Sequence, residues 1–458
     1  RVLFRSFQPE LSAMVNGTTR TTRTTRRNFL QAAVAAGTTL PLTGNWTTAA
    51  DTAADTAADK RSANEKLNLA VIGVAGRGAS NLAGVAGENI VALCDIDSNR
   101  LAAAAAKHKQ ATTTDDFRRV LDIKDLDGVV VSTPDHMHAI PVVAALKRGL
   151  AVYCEKPLTH SIHEARVISR LTAKRKAVTQ MGNQIHNHPL NNYRRVVETI
   201  QSGSIGEVRR VHVWQGGGVR VGQRVQASEP PKHINYDLWL GPAPHRPYHA
   251  SHFHFNWRYW WDFGGGQLAD FVCHYMDLPF WALGLKYPNR IHATGEKGHD
   301  GDNQCPNRMK VDYHFDATAA KPAVHVTWYH GGWKPKGAES YGKGSAVLFE
   351  GSDGRLLADY TTRKLFMAAG KQASPVPPTI TDSVGHHNEF LQAIRSGNTN
   401  TTCNFRYGAL LSECGHLGNL SYRLGQKPIT WDTAAATAVD CPEAAAIVKR
   451  KYRKGWSL

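Results

Sequence analysis

Three side chains have the types and spacing for acid–base chemistry. Lys156 stands in Tyr153-Cys154-Glu155-Lys156-Pro157, and Asp270 and His274 lie four apart in a segment that opens Gly264-Gly265-Gly266. A helix brings residues i and i+4 to one face, so Asp270 and His274 would act on one surface. Histidine titrates near neutrality and suits proton transfer. Each residue also has a plainer reading: a surface lysine before a turn proline, a helix N-cap aspartate, a satisfied core histidine. A second set of residues suits a dinucleotide. Gly73, Gly76, Arg77 and Gly78 form a glycine turn, and Asp95 follows 22 residues after Gly73. Glycines let backbone approach a pyrophosphate at a helix N-terminus, and an acid at that distance binds a ribose 2′-hydroxyl. The strict G-x-G-x-x-G spacing is broken, because Ala75 stands at the middle glycine with Gly76 beside it.

The elements needed to position these residues are legible around them. Lys66 to Ile72 is a short apolar run, and a helical pattern follows the glycine turn through Leu82 and Val85. Asn89–Cys94, Leu126–Ser132 and Leu150–Cys154 are further strand-like runs between Ala-rich helical segments. That alternation predicts a parallel sheet with helices on both faces. Ligands of such sheets lie beyond the carboxyl ends of the strands, where Asp95, Thr133, His138 and Lys156 fall. Val208–Trp214, Met309–Phe315 and Val324–Tyr329 alternate like half-buried strands, and His386–Ser396 and Tyr407–Leu424 have helical spacing.

The glycine turn, Asp95, Thr133-Pro134-Asp135-His136-Met137-His138, Tyr153–Ser161 and the D-x-x-x-H segment at 270–274 together resemble the Gfo/Idh/MocA oxidoreductases, the relatives of glucose–fructose oxidoreductase and inositol dehydrogenase. The resemblance runs from about residue 66 to about residue 432. It implies an α/β chain: an N-terminal Rossmann dinucleotide-binding domain at 64–185, then a C-terminal α/β domain at 186–432 with a large open, mainly antiparallel sheet. It implies Lys156, Asp270 and His274 around a substrate carbinol: His274 as general base, Lys156 on the same oxygen, Asp270 on a second hydroxyl or orienting the base. The expected cofactor set is Gly73, Gly76, Arg77, Gly78, Asp95, Thr133, Pro134, His138 and Glu155. Asp95 favours NAD over NADP, with Arg100 as the residue that would argue otherwise. Val272 departs from the glycine that relatives often carry there.

An aromatic-rich stretch, His252 to Phe263, precedes the D-x-x-x-H segment and holds three tryptophans, with Trp239 close before it. Trp257 and Arg258, with Gln184, His186 and His188 from Gly182-Asn183-Gln184-Ile185-His186-Asn187-His188, are expected to line a carbohydrate pocket. Plain packing is the competing reading. No metal-ligand set is assigned.

The expected activity is hydride transfer to or from a carbinol of a saccharide, cyclitol or derivative. Two alternatives are an NAD-retaining glycoside-cleaving enzyme and a non-catalytic sugar-binding or assembly protein on the same scaffold.

Residues 1–63 read as an address. Arg26-Arg27-Asn28-Phe29-Leu30 followed by a mildly apolar stretch to Leu42 resembles a twin-arginine export signal, and an Ala/Thr/Asp spacer follows. The expectation is a periplasmic protein without an integral membrane span, since no run reaches the ~18 apolar residues of a spanning helix. The net charge of +17 is scattered except for Lys449 to Lys454, and residues 433–458 read as a basic tail. No nucleic-acid-binding signature is present, so the charge points to an anion-attracting surface. The seven cysteines include no C-x-x-C pair and suggest no disulfide framework. The resemblance implies pairing of copies through the open sheet.

Overall fold

A computed structural model describes residues 65–217 and 222–458. The export-signal reading therefore lies outside the described residues. The first domain alternates strands β1 (Asn68–Ile72), β2 (Asn89–Cys94), β3 (Thr112–Thr114), β4 (Gly128–Val131), β5 (Ala151–Glu155) and β6 (Thr179–Gly182) with helices α1 (Arg77–Val85), α2 (Ser98–Ala105), α3 (Phe117–Val120), α4 (Asp135–Lys147) and α5 (Ile162–Arg175). The strand order is β3-β2-β1-β4-β5-β6, and every pairing is parallel. Residues of β4 and β5 are buried throughout, because helices cover both faces; that is why they read as continuous apolar runs.

The chain then forms α6 (Asn192–Gln201), β7 (Val208–Gln215), α7 (Tyr236–Leu240), α8 (Gly266–Tyr275) and α9 (Asp277–Leu283). Strands β8 (Arg290–Glu296), β9 (Arg308–Phe315), β10 (Val324–His330), β11 (Ala346–Gly351), β12 (Gly354–Ala358) and β13 (Arg363–Met367) follow. Next come α10 (His386–Ser396), α11 (Phe405–Arg423), β14 (Ile429–Asp432), β15 (Thr437–Ala438) and α12 (Ala445–Val448). The second sheet has nine strands in the order β13-β12-β11-β7-β10-β9-β8-β14-β15. Only β7 and β10 pair in parallel. Met309, Val311, Tyr313 and Phe315 of β9 are buried in the main core with residues of α8 and α11, while Lys310, Asp312 and His314 alternate onto the other face.

Two long-range features lie outside the sequence-based partition. Helix α10 packs on the first domain: Phe390 and Leu391 join a core cluster with Leu69, Val71, Val85 and Tyr153, and Arg395 pairs with Glu88 at 2.6 Å. Residues 433–458 are no free tail. Arg450 donates to Glu164 at 2.9 Å and to the His136 carbonyl at 2.6 Å, Tyr452 donates to Glu164 at 2.6 Å, and Trp456 lies 6.4 Å from Phe117, centroid to centroid. Part of the basic charge is thus spent in buried ion pairs. All seven cysteines are free thiols.

Candidate active site

The glycine turn sits between β1 and α1. Gly76 has φ of 58° and ψ of −119°, a conformation open only to glycine, and a Cβ there would face empty space. A Cβ on Gly78 would lie 2.0 Å from the Gly73 carbonyl oxygen, so α1 can begin this close to β1 only with glycine. No side chain caps α1 and no acid stands in its first turn, which leaves its positive end for an anion. Arg77 is exposed at that end. Beyond β2, Asp95 accepts from the backbone N–H of Val74 and of Asp97, each at 3.0 Å. Burial raises its pKa against those two bonds. The carboxylate therefore ties the glycine turn to the end of β2. Arg100 is turned to Asp97, 3.6 Å away. Thr133 holds a buried Oγ1 with no partner, and Pro134 caps α4. Glu155 accepts from Asn81 of α1 at 2.9 Å and from Gln184 at 2.8 Å. The open glycine cradle, the uncapped helix and the orphaned threonine hydroxyl suit a bound dinucleotide.

Lys156 follows β5, and its ammonium donates to Asp270 Oδ1 at 2.5 Å and to the Asp270 carbonyl at 2.7 Å. Asp270 is in the interior of α8, so the N-cap reading fails. Burial opposes its ionisation, but Arg258 and Lys156 outweigh burial and hold the carboxyl well below the usual range. The Nδ1 of His274, one turn later, lies 2.7 Å from the Asn183 Oδ1, which can only accept. Asn183 in turn donates its amide N–H to the Cys273 carbonyl at 2.7 Å. That second bond orients the amide with its oxygen toward His274, so Nδ1 carries the proton and Nε2 keeps its lone pair. Burial, then the charge of Lys156, push the imidazole pKa well down. A neutral histidine with a free Nε2 is the proton-accepting form.

Several expected contacts take a different form. Arg258 is held between two carboxylates: its guanidinium donates to Asp135 at 2.9 Å and lies 3.5 Å from Asp270. Burial pushes Asp135 up to about 7 even so. His138 braces backbone rather than a cofactor, with its ring nitrogens 2.7 Å from the Pro157 carbonyl and 2.8 Å from the Thr133 carbonyl. His186 is buried, pairs with Asp277 at 3.0 Å and stacks on Trp281 at 4.0 Å. His188 accepts only from the N–H of Leu190. Trp257 is buried in a cluster with Trp239, Trp260 and Phe263, and its indole donates to the His254 carbonyl at 2.9 Å. Trp257, Trp260 and Phe263 of the aromatic stretch are thus core residues, while Phe255 is exposed. The segment before α7 fastens beyond the end of β2: the N–H of Asn235 donates to the Ile96 carbonyl and that of Ser98 to the His233 carbonyl, each at 2.8 Å. Gln184 stays half-exposed beside Glu155, donating to the Tyr153 hydroxyl at 2.8 Å. Sequence reasoning missed Asn183 and Asp135, although both follow the carboxyl ends of strands, at β6 and β4, where this fold places its ligands.

Residues 67–183 match the Gfo/Idh/MocA oxidoreductase family's NAD-binding Rossmann fold, and residues 192–458 match its C-terminal α/β domain. Among curated proteins, inositol 2-dehydrogenase 4 of Saccharopolyspora erythraea is 29% identical over 155 residues, 33% of this chain and 45% of its own length. Inositol 2-dehydrogenase 3 of the same organism is 34% identical over 129 residues, 28% of this chain and 37% of its own. The chain thus spans less than half the length of these relatives. Among solved structures, the WlbA dehydrogenase of Chromobacterium violaceum, in complex with NADH and UDP-GlcNAcA, superposes with a TM-score of 0.59 at 18% identity, covering 81% of this chain and 97% of that one. A levoglucosan dehydrogenase in complex with NADH and L-sorbose gives 0.58 at 16% identity, covering 81% and 100%. With both halves matched and the architecture shared, the chain belongs to the Gfo/Idh/MocA oxidoreductase family, with an NAD-binding Rossmann domain in front of the family's C-terminal α/β domain.

Proposed function

We propose that the protein is an exported NAD-dependent oxidoreductase acting on a carbinol of a saccharide, cyclitol or derivative. The observation that carries the reading is the constellation of Lys156, Asp270 and His274, with Asn183 fixing the histidine tautomer. Gly73, Gly76, Arg77, Gly78, Asp95 and Thr133 would hold the dinucleotide, whose nicotinamide supplies the hydride acceptor or donor. His274 Nε2 takes the hydroxyl proton of the carbinol. The Lys156 ammonium stabilises the negative charge that develops on that oxygen. Asp270 keeps the ammonium charged and in place. The inositol in the names of the curated relatives, and the UDP-GlcNAcA and L-sorbose bound in the solved structures, support a polyol substrate. The carboxylate at Asp95, with Arg100 3.6 Å from Asp97, supports NAD over NADP. Twin-arginine export and pairing of copies through the open sheet face belong to the same reading.

The test uses the purified full chain with NAD and a set of probes: myo-inositol, glucose, galactose and their acids. Turnover is followed as NADH. Lys156→Ala is expected to lower kcat/KM at least a hundredfold while the protein still binds NAD. Retained turnover sinks the role of Lys156. Release of nitrophenol from aryl glycosides without net NADH turns the reading toward glycoside cleavage.

A further inference from the structure

The aromatic stretch and the glycines at 264–266 seat Arg258. Residues Asn256–Tyr259 make one short helical turn, and the Arg258 guanidinium lies over the Trp257 ring at 4.4 Å. A Cβ on Gly264 would stand 2.6 Å from both the Cα and the carbonyl oxygen of Arg258, so a larger residue there would push Arg258 out of place. The same loop is fastened to the first turn of α4. The N–H of His136 donates to the Phe263 carbonyl at 3.2 Å, and His136 Nε2 donates to the Trp239 carbonyl at 2.8 Å.

Four charges of alternating sign meet beneath this loop. Asp135, in the first turn of α4, accepts from Arg258 Nη1 at 2.9 Å with Oδ2 and at 3.2 Å with Oδ1. Arg258 Nε approaches Asp270 Oδ1 at 3.5 Å, and the same Oδ1 takes the Lys156 ammonium at 2.5 Å. None of the four side chains is more than 11% exposed. Each of the pairs Arg258–Asp135 and Lys156–Asp270 is neutral by itself, so neither needs the other to offset the cost of burying a charge. What their approach does is fix the one carboxylate oxygen that holds the ammonium. The row also joins separate parts of the fold. Asp135 follows the Thr133-Pro134 loop after β4, Lys156 follows β5, and Asp270 belongs to α8 in the second domain.

We infer that Arg258 and Asp135 are positioning residues that hold Asp270, and through it the Lys156 ammonium, in register with the loop after β4 where the dinucleotide is expected. This rests on the proposed function and adds to it two residues that act without touching the carbinol. Without them Asp270 and Lys156 stay paired but are free to swing together, and a misplacement of about 1 Å can cost about a hundredfold in rate.

The double variant Asp135→Leu/Arg258→Met removes both charges at once. Replacing a buried ion pair by apolar side chains is often neutral for stability, whereas losing one partner is not. The double variant should therefore melt closer to the wild type than Arg258→Met does. In the NAD-loaded full chain, its kcat for the best-turned-over polyol probe is expected to fall about 10- to 100-fold, with KM and the amount of NAD bound within about twofold. A pair that serves packing alone would return kcat along with stability, so a kcat within about twofold of wild type overturns the inference. Should the double variant not fold, Asp135→Asn decides, since it keeps the size of the side chain: kcat is expected to fall at least about threefold at constant KM, and an unchanged kcat overturns the inference. Lys156 gives a second readout. Trace acetylation with acetic anhydride, followed by peptide mass spectrometry, should modify it at least about threefold faster in the variant than in the wild type, and equal protection overturns the inference. A wild-type chain that turns over none of the probes defeats the proposed function instead, and the acetylation rates then still rule on the positioning.

Discussion

Arg258 is the most consequential charge in the site to remove. Its side chain is 9% exposed and serves two carboxylates, Asp135 at 2% and Asp270 at 9%. In Arg258→Met, Asp270 keeps Lys156 at 2.5 Å, but Asp135 loses its ion-pair partner. Breaking a buried ion pair from one side costs about 3–5 kcal/mol. Asp135 can soften that loss by binding a proton, and this fixes the pH dependence. Its folded-state pKa, about 7, is already raised above the ordinary 3.8. The folded protein therefore keeps a proton that the unfolded chain releases, and stability falls as pH rises from the unfolded value through the folded one. In the wild type that fall ends near pH 7; without Arg258 it continues upward. At ~1.4 kcal/mol per pH unit, the variant's deficit should grow by about 2 kcal/mol between pH 7 and pH 8.5. Urea unfolding followed by tryptophan fluorescence, at both pH values, measures this. A deficit under about 1 kcal/mol at pH 8.5, or one that shrinks as pH rises, refutes the reasoning. Lys156→Met serves as a control: it leaves Asp270 beside Arg258 at 3.5 Å and should cost less than Arg258→Met.

Three further outcomes are expected. Gly78→Ala forces a methyl group toward the Gly73 carbonyl, and calorimetry should find NAD affinity down at least about tenfold; unaltered binding argues against the cradle. Asp95→Ala frees the N–H groups of Val74 and Asp97 and should narrow the preference for NAD over NADP, read as the ratio of the two Kd values; an unmoved ratio means that Asp95 does not face the ribose. Asn183→Ala releases His274 Nδ1, so kcat should fall about tenfold or more with NAD content intact; an unchanged kcat removes Asn183 from the proton path.

Much of the first domain was legible because its signals are local. Buried parallel strands leave unbroken apolar runs such as Val129–Val131, and the glycine turn is confined to six residues. The pairing of Lys156 with Asp270 came from the family resemblance, since 114 residues separate them. What stayed hidden depends on which side of a residue meets which neighbour. Arg258 and Trp257 have types suited to sugar binding, but one is drawn to a buried aspartate and the other into a tryptophan cluster. His138 and His186 sit in or beside the right segments with their rings turned to carbonyls and to Asp277.

Helix α10 bears on how the molecule can move. A two-domain enzyme commonly opens by a hinge in the connection between its domains, here the stretch after β6. In this chain, α10 belongs by sequence to the second half but is embedded by Phe390 and Leu391 in the core of the first, and Arg450 and Tyr452, near the last residues of the second half, fasten Glu164. A rigid-body swing about that connection would have to pull one of these anchors out of its packing. Ligand exchange by local displacements, at the pace of a loop rather than of a domain, is what such anchoring favours.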